Sequence, residues 1–211
     1  KIAAVLGPLR HGELFAGSEW SSGSTVDLSR RNSGYDNKML SCLTVTRSAV
    51  KYAQAYLETD YHWFAALTGS FPCGPYCVLD DVFTVVDFAK GVTVPKSFKT
   101  NRFISIEPTM NIFLQKGVGK YIRRRLRRVG VDLDDQTLNQ GASARAFRDH
   151  LATVDLSSAS DTVSKEIVYH LLPYEWASLL DDLRSKRVLL DDEVHPRLLE
   201  KFSSMGNGFT F

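Results

Sequence analysis

The chain has little cysteine, no long apolar run and no repeat, and each shortage narrows what it can be. Cys42, Cys73 and Cys77 are its three cysteines in 211 residues. So sparse and odd a count reads as free thiols in a reducing compartment, not as a disulfide framework. Cys73 and Cys77 flank a turn, "FPCGPYC", but no second pair at ligand spacing follows, so ordinary thiols at a turn are favoured over a zinc pair. No stretch approaches the roughly 18 apolar residues that suggest a membrane span. "KIAAVLGPLRHGELF" lacks the cleavage site of a secretory leader. There is no initiating Met, and the last segment, "NGFTF", carries no closing helix or tail. The expectation is a piece of a longer chain.

What is present is a substantial core: 44% of residues are hydrophobic and 11% aromatic. That excludes wholesale disorder and suits one large domain or two small ones. The net charge of +2 conceals a segregation. Between Lys96 and Arg128 there are ten Lys/Arg and one acid, Glu107, whereas the rest of the chain holds 16 basic and 23 acidic residues. So dense a run as "KYIRRRLRR" repels itself unless something neutralises it, and reads as the footprint of a polyanion.

Periodicity gives the elements. Residues 17–37 are rich in Gly, Ser and Asn and read as loop. Residues 47–67 read as helix, broken near Thr59-Asp60. Val82–Phe88, Val92–Val94 and "RFISIEP" read as strands. Thr109 to Val129 reads as a helix with the stripe Val118, Ile122, Leu126 and Val129. Gly117 and Gly119 inside it mark close backbone approach or a break. "GVDLDDQTLNQGAS" reads as loop or short helix. "LATVDL" is continuously apolar, as in a strand covered on both faces. "SDTVSKEIVYHLL" follows as a helix with Ser160 as N-cap, Asp161 in the first turn and Val163, Ile167 and Leu171 on one face. Pro173 ends it. "YEWASLLDDLR" is a further helix, and "RVLLDDEVH" a hairpin with Asp191-Asp192 in the turn.

"LATVDLSSASDTVS" carries the chemistry. An aspartate ending a central strand can offer its carboxylate to Mg²⁺, which takes oxygen ligands. Asp161, further on, can bond a sugar hydroxyl or back the metal shell. On this segment alone turn capping is the better reading of both acids. The combination changes the balance. Lys96, Lys99 and Arg102 lie three apart on a loop and can hold a triphosphate. Downstream, in "SSMGNGFTF", Gly206 and Gly208 permit close backbone approach to a ligand, and Asn207 offers donor and acceptor to a ribose. Tyr121 is the best aromatic candidate for an RNA contact; Trp63, Phe64 and Trp176 read as core.

"VPKSFKTNRFISIEPTMNIFLQKGVGKYIRRRLRRVGVDLDDQTLNQ", "LATVDLSSASDTVS" and "SSMGNGFTF" together resemble the replicase catalytic (beta) subunit of the small single-stranded RNA bacteriophages, the levivirus group. The likeness covers about half the chain, within residues 94–211. It implies an α+β right-hand polymerase: fingers across residues 1–150, with the basic segment 94–129, then part of the palm over 151–211 with an insertion around 175–200. It implies an RNA-directed RNA polymerase in which a 3′-hydroxyl attacks a nucleoside triphosphate held with two Mg²⁺ ions, or Mn²⁺ in their place. Asp155 matches the first metal ligand. Asp161 matches the residue sensing the 2′-hydroxyl. Lys96, Lys99 and Arg102 match the triphosphate motif. Ser204, Gly206 and Asn207 match the loop that recognises ribose and template. Arg123, Arg124, Arg127 and Arg128 are expected on RNA backbone. Expected partners are template, product, NTPs, the host elongation factors Tu and Ts and a small-subunit ribosomal protein, in the bacterial cytoplasm and away from membrane. The sequence departs from the pattern at "NQGASARAFRDHL" and lacks the Gly-Asp-Asp hairpin; Asp191-Asp192 is no substitute, since no Gly precedes it and it lies before the Gly-Asn loop. A non-catalytic RNA-binding remnant and a reverse transcriptase are the rival readings.

Overall fold

The structure, a computed structural model, describes residues 1–69 and 82–210, so the "FPCGPYC" turn with Cys73 and Cys77 lies outside the described residues. The helices are α1 (Ile2–Leu6), α2 (His11–Phe15), α3 (Tyr35–Leu40), α4 (Val50–Leu57), α5 (Tyr61–Thr68), α6 (Thr109–Arg127), α7 (Thr137–Arg145), α8 (Lys165–Leu171) and α9 (Tyr174–Leu183). The strands are β1 (Leu43–Val45), β2 (Phe83–Val85), β3 (Ala89–Pro95), β4 (Asn101–Ile106), β5 (Arg187–Leu190) and β6 (Arg197–Leu198). The class is α+β. Among the described residues β1 and β2 pair in parallel, and a second sheet runs in the order β4-β3-β5-β6. In it β3 and β4 form an antiparallel hairpin from Lys90↔Ile106 to Pro95↔Asn101, while β5 joins β3 in parallel.

Helix α6 is the axis of the core. Met110, Phe113, Leu114, Val118 and Tyr121 are buried on it, against Leu14 and Phe15 of α2, Leu43 and Val45 of β1, Leu57 of α4 and Trp176, Leu179 and Leu183 of α9. Its polar N-terminal residues are buried too, and each is paired. The Thr109 N–H donates to Thr44 Oγ1 (2.9 Å), and the Thr109 hydroxyl donates to Asp27 Oδ1 (2.6 Å). Asn111 accepts from the Thr46 N–H (2.9 Å), and both Asn111 and Gln115 donate to the carbonyl of Leu183 (2.9 and 2.8 Å). Buried polar groups cost free energy unless hydrogen-bonded, so these pairs are what lets a polar helix start sit in a core.

The helical pair over residues 47–67 breaks where expected, because the Asp60 carboxylate accepts from the Trp63 N–H (3.1 Å) and caps α5. The two glycines of α6 mark close approach. A Cβ on Gly117 would lie 2.5 Å from Ser18 Oγ, and one on Gly119 would lie 2.5 Å from the carbonyl oxygen of Gly208.

Four expectations are corrected. Residues 151–156 are not a covered strand: they are extended and exposed, with Val154 at 83% and Leu156 at 72% exposure, and no described strand pairs with them. An apolar run states that a segment can be buried, not what is there to cover it. The following helix begins four residues late, with Ser164 and not Ser160 as its cap; the Ser164 hydroxyl accepts from the Ile167 N–H (3.3 Å). Its packed side is therefore Val163, Val168 and Leu172, and Ile167 and Leu171 face solvent. Two neighbouring expectations hold: α8 ends before Pro173, which is the N-cap of α9, and β5 pairs with β6 antiparallel with Asp191-Asp192 in the connection between them. The apolar stripe of α6 is real at Val118 but ends in the open, with Val129 at 55% exposure.

Gly119→Ala should lower stability by about 1–3 kcal/mol, because the new methyl meets backbone that cannot rotate away. Gly12→Ala, with nothing within 4 Å, is the control. Urea denaturation of both variants checks this, and equal midpoints would refute the contact.

Candidate nucleotide and nucleic-acid interface

The β3–β4 hairpin carries Lys96, Lys99 and Arg102 at its tip. The turn is held by the Lys96 and Ser97 N–H groups donating to the carbonyl of Thr100 (2.9 and 3.1 Å) and by a Ser97–Thr100 hydroxyl pair at 2.9 Å. All three cations are exposed, and none has a carboxylate partner among the described residues. Phe98, at 94% exposure, sits between them with the Lys99 ammonium over its ring.

The arginine-rich end of α6 differs. Arg123 pairs with Asp134 (2.7 Å), and Arg127 pairs with both Asp132 and Asp134 (2.8 Å each). Lys116 (2.8 Å) and Lys120 both pair with Glu19. Arg125 donates to the carbonyl of Val5 (2.7 Å) and Arg124 lies over the Tyr121 ring. Arg128 has no carboxylate partner among the described residues. Glu19, Lys116, Lys120, Arg123, Arg124, Arg127 and Asp134 border a groove of about 550 Å³ that reaches Gly208. Most of its cations are paired within the chain, by Glu19 and by Asp132 and Asp134 of a segment that reads in sequence as loop or short helix. Exposed ion pairs contribute little, so a phosphate can displace them. Asp134→Asn should raise affinity for single-stranded RNA severalfold at low salt, measured by fluorescence anisotropy. An unchanged affinity would show the pairs are not in the way. Tyr121 is corrected: it is 4% exposed and packs on Trp176 (ring centroids 5.8 Å apart), so it is core, like Trp63, Phe64 and Trp176.

Ser204, Gly206 and Asn207 form a turn wedged between β4 and α6. The Ser105 N–H donates to the Met205 carbonyl (2.9 Å), and Gly208 N–H donates to Gln115 Oε1 (2.8 Å). Gly206 has φ of 128°, and a Cβ there would lie 2.0 Å from the Ser105 carbonyl oxygen. The close approach these glycines permit is therefore to β4 and α6. Asn207 is buried. Its Oδ1 accepts from the Ser204 N–H (2.7 Å), and its Nδ2 donates to Glu107 Oε1 (2.9 Å).

Glu107, the lone acid of the basic stretch, was legible as an oddity, but its network was not. It is 3% exposed. Its Oε2 accepts from the Ser185 hydroxyl (2.5 Å) and the Ser185 N–H (3.2 Å). Burial pushes its carboxyl up to about 7, against the opposing pull of the Ser185 donors, Gln115 and the nearby Arg184 guanidinium. A folded-state value above the ordinary 4.5 means that this group's contribution to stability is full below pH 4.5 and lost as pH rises through about 7. The loss is about 3 kcal/mol at most. Glu107→Gln should flatten that part of the stability–pH curve, as chemical denaturation across this window would reveal.

Asp161 pairs with Lys201, and the segment after it runs beside the approach to the turn: Phe202 N–H donates to the Val163 carbonyl (2.7 Å) and Ser164 bridges Lys201. The structure thus brings Asp161 to the residues entering the Ser204–Gly208 turn. Among the described residues it does not gather Asp155 into a set of three metal-ligating side chains. Asp155 is exposed on the extended segment, and among the described residues no three acidic, His or Cys side chains converge on a metal position. One carboxylate is not a two-metal site, so these residues by themselves do not fit the Mg²⁺ pair.

The geometry defines the class first: an α+β protein with a concentrated basic face. A family model described as RNA replicase, beta-chain matches residues 1–211, and the chain belongs to that family. It is 40% identical over 213 residues to the RNA-directed RNA polymerase subunit beta of Enterobacteria phage SP, which covers all of this chain and 34% of that protein. It is 53% identical over 130 residues to the corresponding subunit of Qbeta virus (strain MX1), covering 60% of this chain and 22% of that one. The RNA-directed RNA polymerase beta chain of Enterobacteria phage fr is 38% identical over 214 residues, covering all of this chain and 38% of its own length. The matched stretches thus span between 22% and 38% of these relatives' own length.

Proposed function

We propose that this chain is the nucleotide- and template-contacting part of an RNA-directed RNA polymerase of right-hand architecture, with fingers and part of the palm. The observation that carries it is the β3–β4 tip: three exposed cations gathered on one hairpin turn with no carboxylate partner among the described residues, whereas Arg123 and Arg127 of α6 are held by Asp132 and Asp134. A triphosphate presents charge on many oxygens, and a preformed set of cations stabilises it without reorganisation. In this reading Lys96, Lys99 and Arg102 bind the NTP phosphates. The turn with Ser204, Gly206 and Asn207, with Asp161 beside its approach, meets the ribose and template. Arg123, Arg124, Arg127 and Arg128 contact RNA backbone and position it without reading sequence.

Asp155 is the residue proposed to hold Mg²⁺. When bound, the metal would assist the attack on phosphorus, and carboxylates besides Asp155 are required for it. No helix among the described residues is long and apolar enough to cross a membrane. The host cytoplasm as the place of action, and elongation factors Tu and Ts and a ribosomal protein as partners, follow from the family likeness.

The test is template-directed incorporation of labelled NTPs by the complete gene product. Asp155→Asn should abolish elongation and leave RNA binding within twofold. Lys99→Ala should raise KM for NTP about tenfold, as befits one lost charge-assisted contact. RNA binding with no incorporation by the wild type would establish the binding-module alternative, and preference for dNTPs would point to reverse transcription.

A further inference from the structure

We propose that Glu107 is a positioning residue of the nucleotide site, acting through Asn207 and Ser185 to lock the Ser204–Gly208 turn to the foot of the basic hairpin. The proposal rests on the polymerase reading of that turn. Glu107 directly follows β4, the strand that bears Arg102 at its other end. Its two oxygens reach different elements: Oε1 takes the Asn207 amide (2.9 Å), and Oε2 takes the Ser185 hydroxyl and N–H just beyond α9 (2.5 and 3.2 Å). Asn207 cannot turn its amide over to suit another partner, because its oxygen is held by the Ser204 N–H at 2.7 Å. The Gly206 contact with Ser105 and the Met205–Ser105 hydrogen bond join the same two pieces of backbone. Hairpin and turn are thereby one unit, and Glu107 is its only acid.

The chemistry demands a carboxyl. The Asn207 amide and the Ser185 N–H can only donate, so the residue between them must accept on both of its atoms. A glutamine has the same shape but turns an NH₂ group toward one of these donors and leaves that donor buried without a partner. What the carboxyl supplies is one fixed orientation of the Asn207 side chain.

The complete gene product carries the test, with NTP and dNTP incorporation and template binding measured side by side. Glu107→Gln should raise KM for NTP about tenfold and lower the NTP-over-dNTP preference in kcat/KM by a similar factor, with template Kd within twofold. Ser185→Ala should move both in the same direction by less. In a double-mutant cycle, Glu107→Gln combined with Asn207→Ala should be no worse than the worse single variant, because both act through one contact. An unchanged KM and sugar preference in Glu107→Gln overturns the proposal. So do effects that add to those of Asn207→Ala, or an equal loss of template binding and incorporation, which a merely structural residue would give. Should Glu107→Gln not fold, Ser185→Ala decides alone: wild-type KM and preference overturn the proposal. A wild type that incorporates no nucleotide removes the polymerase reading and this proposal together, whereas an active wild type with an indifferent Glu107→Gln removes this one only.

Discussion

The carbonyl of Leu183 receives two side-chain amides, from Asn111 and Gln115, and the rest of the molecule is arranged around that junction. The last carbonyls of a helix have no partner within it. Here the end of α9 is satisfied by the flank of α6, so the two helices are fixed in register as well as in contact. With α6 so anchored, its first turns can be buried among α2, α4 and β1 while its last turns leave the core and display arginines. One helix thus provides both the centre of packing and the charged surface.

The candidate site hangs from the same helix. Gln115 binds the Leu183 carbonyl through its nitrogen and the Gly208 N–H through its oxygen. The residue that ties α6 to α9 therefore also ties the glycine-asparagine turn to α6. Gly119 leaves room for the carbonyl of Gly208 one helical turn further on. Glu107 closes the arrangement from the β4 side.

Much of this was legible in the sequence, and the remainder failed for physical reasons. The helical spacing after Thr109 reported α6 because one face of it is buried, and burial writes a period; "RFISIEP" reported β4 although its most buried residue is the polar Ser105. The break at Thr59-Asp60 was legible because a cap is a local interaction. The exposed path of residues 151–156 was not, because an apolar composition names no partner. Tyr121 was misplaced by its neighbours: on a helix, the arginines adjacent in sequence point elsewhere, and the ring follows Val118 inward. Lys96, Lys99 and Arg102 could be found by charge and spacing. That Asp132 and Asp134 would occupy the arginines, and that Glu107 would hold Asn207 and Ser185, depends on contacts 5–100 residues apart, which no local pattern encodes.

The acids paired with Arg123 and Arg127 have a consequence for how salt acts on the basic face. A lysine or arginine that meets a nucleic acid directly frees condensed cations from the phosphates, and the steepness of the salt dependence counts such contacts. Arg123 and Arg127 start out bound to carboxylates of their own chain. Were RNA to take these two arginines, as proposed, Asp132 and Asp134 would be released into solvent and gather cations of their own. The cations given up by the RNA would be partly recaptured by the protein. The helix would therefore hold RNA with a gentler response to ionic strength than its number of arginines suggests, and the unpaired hairpin would account for the steeper share.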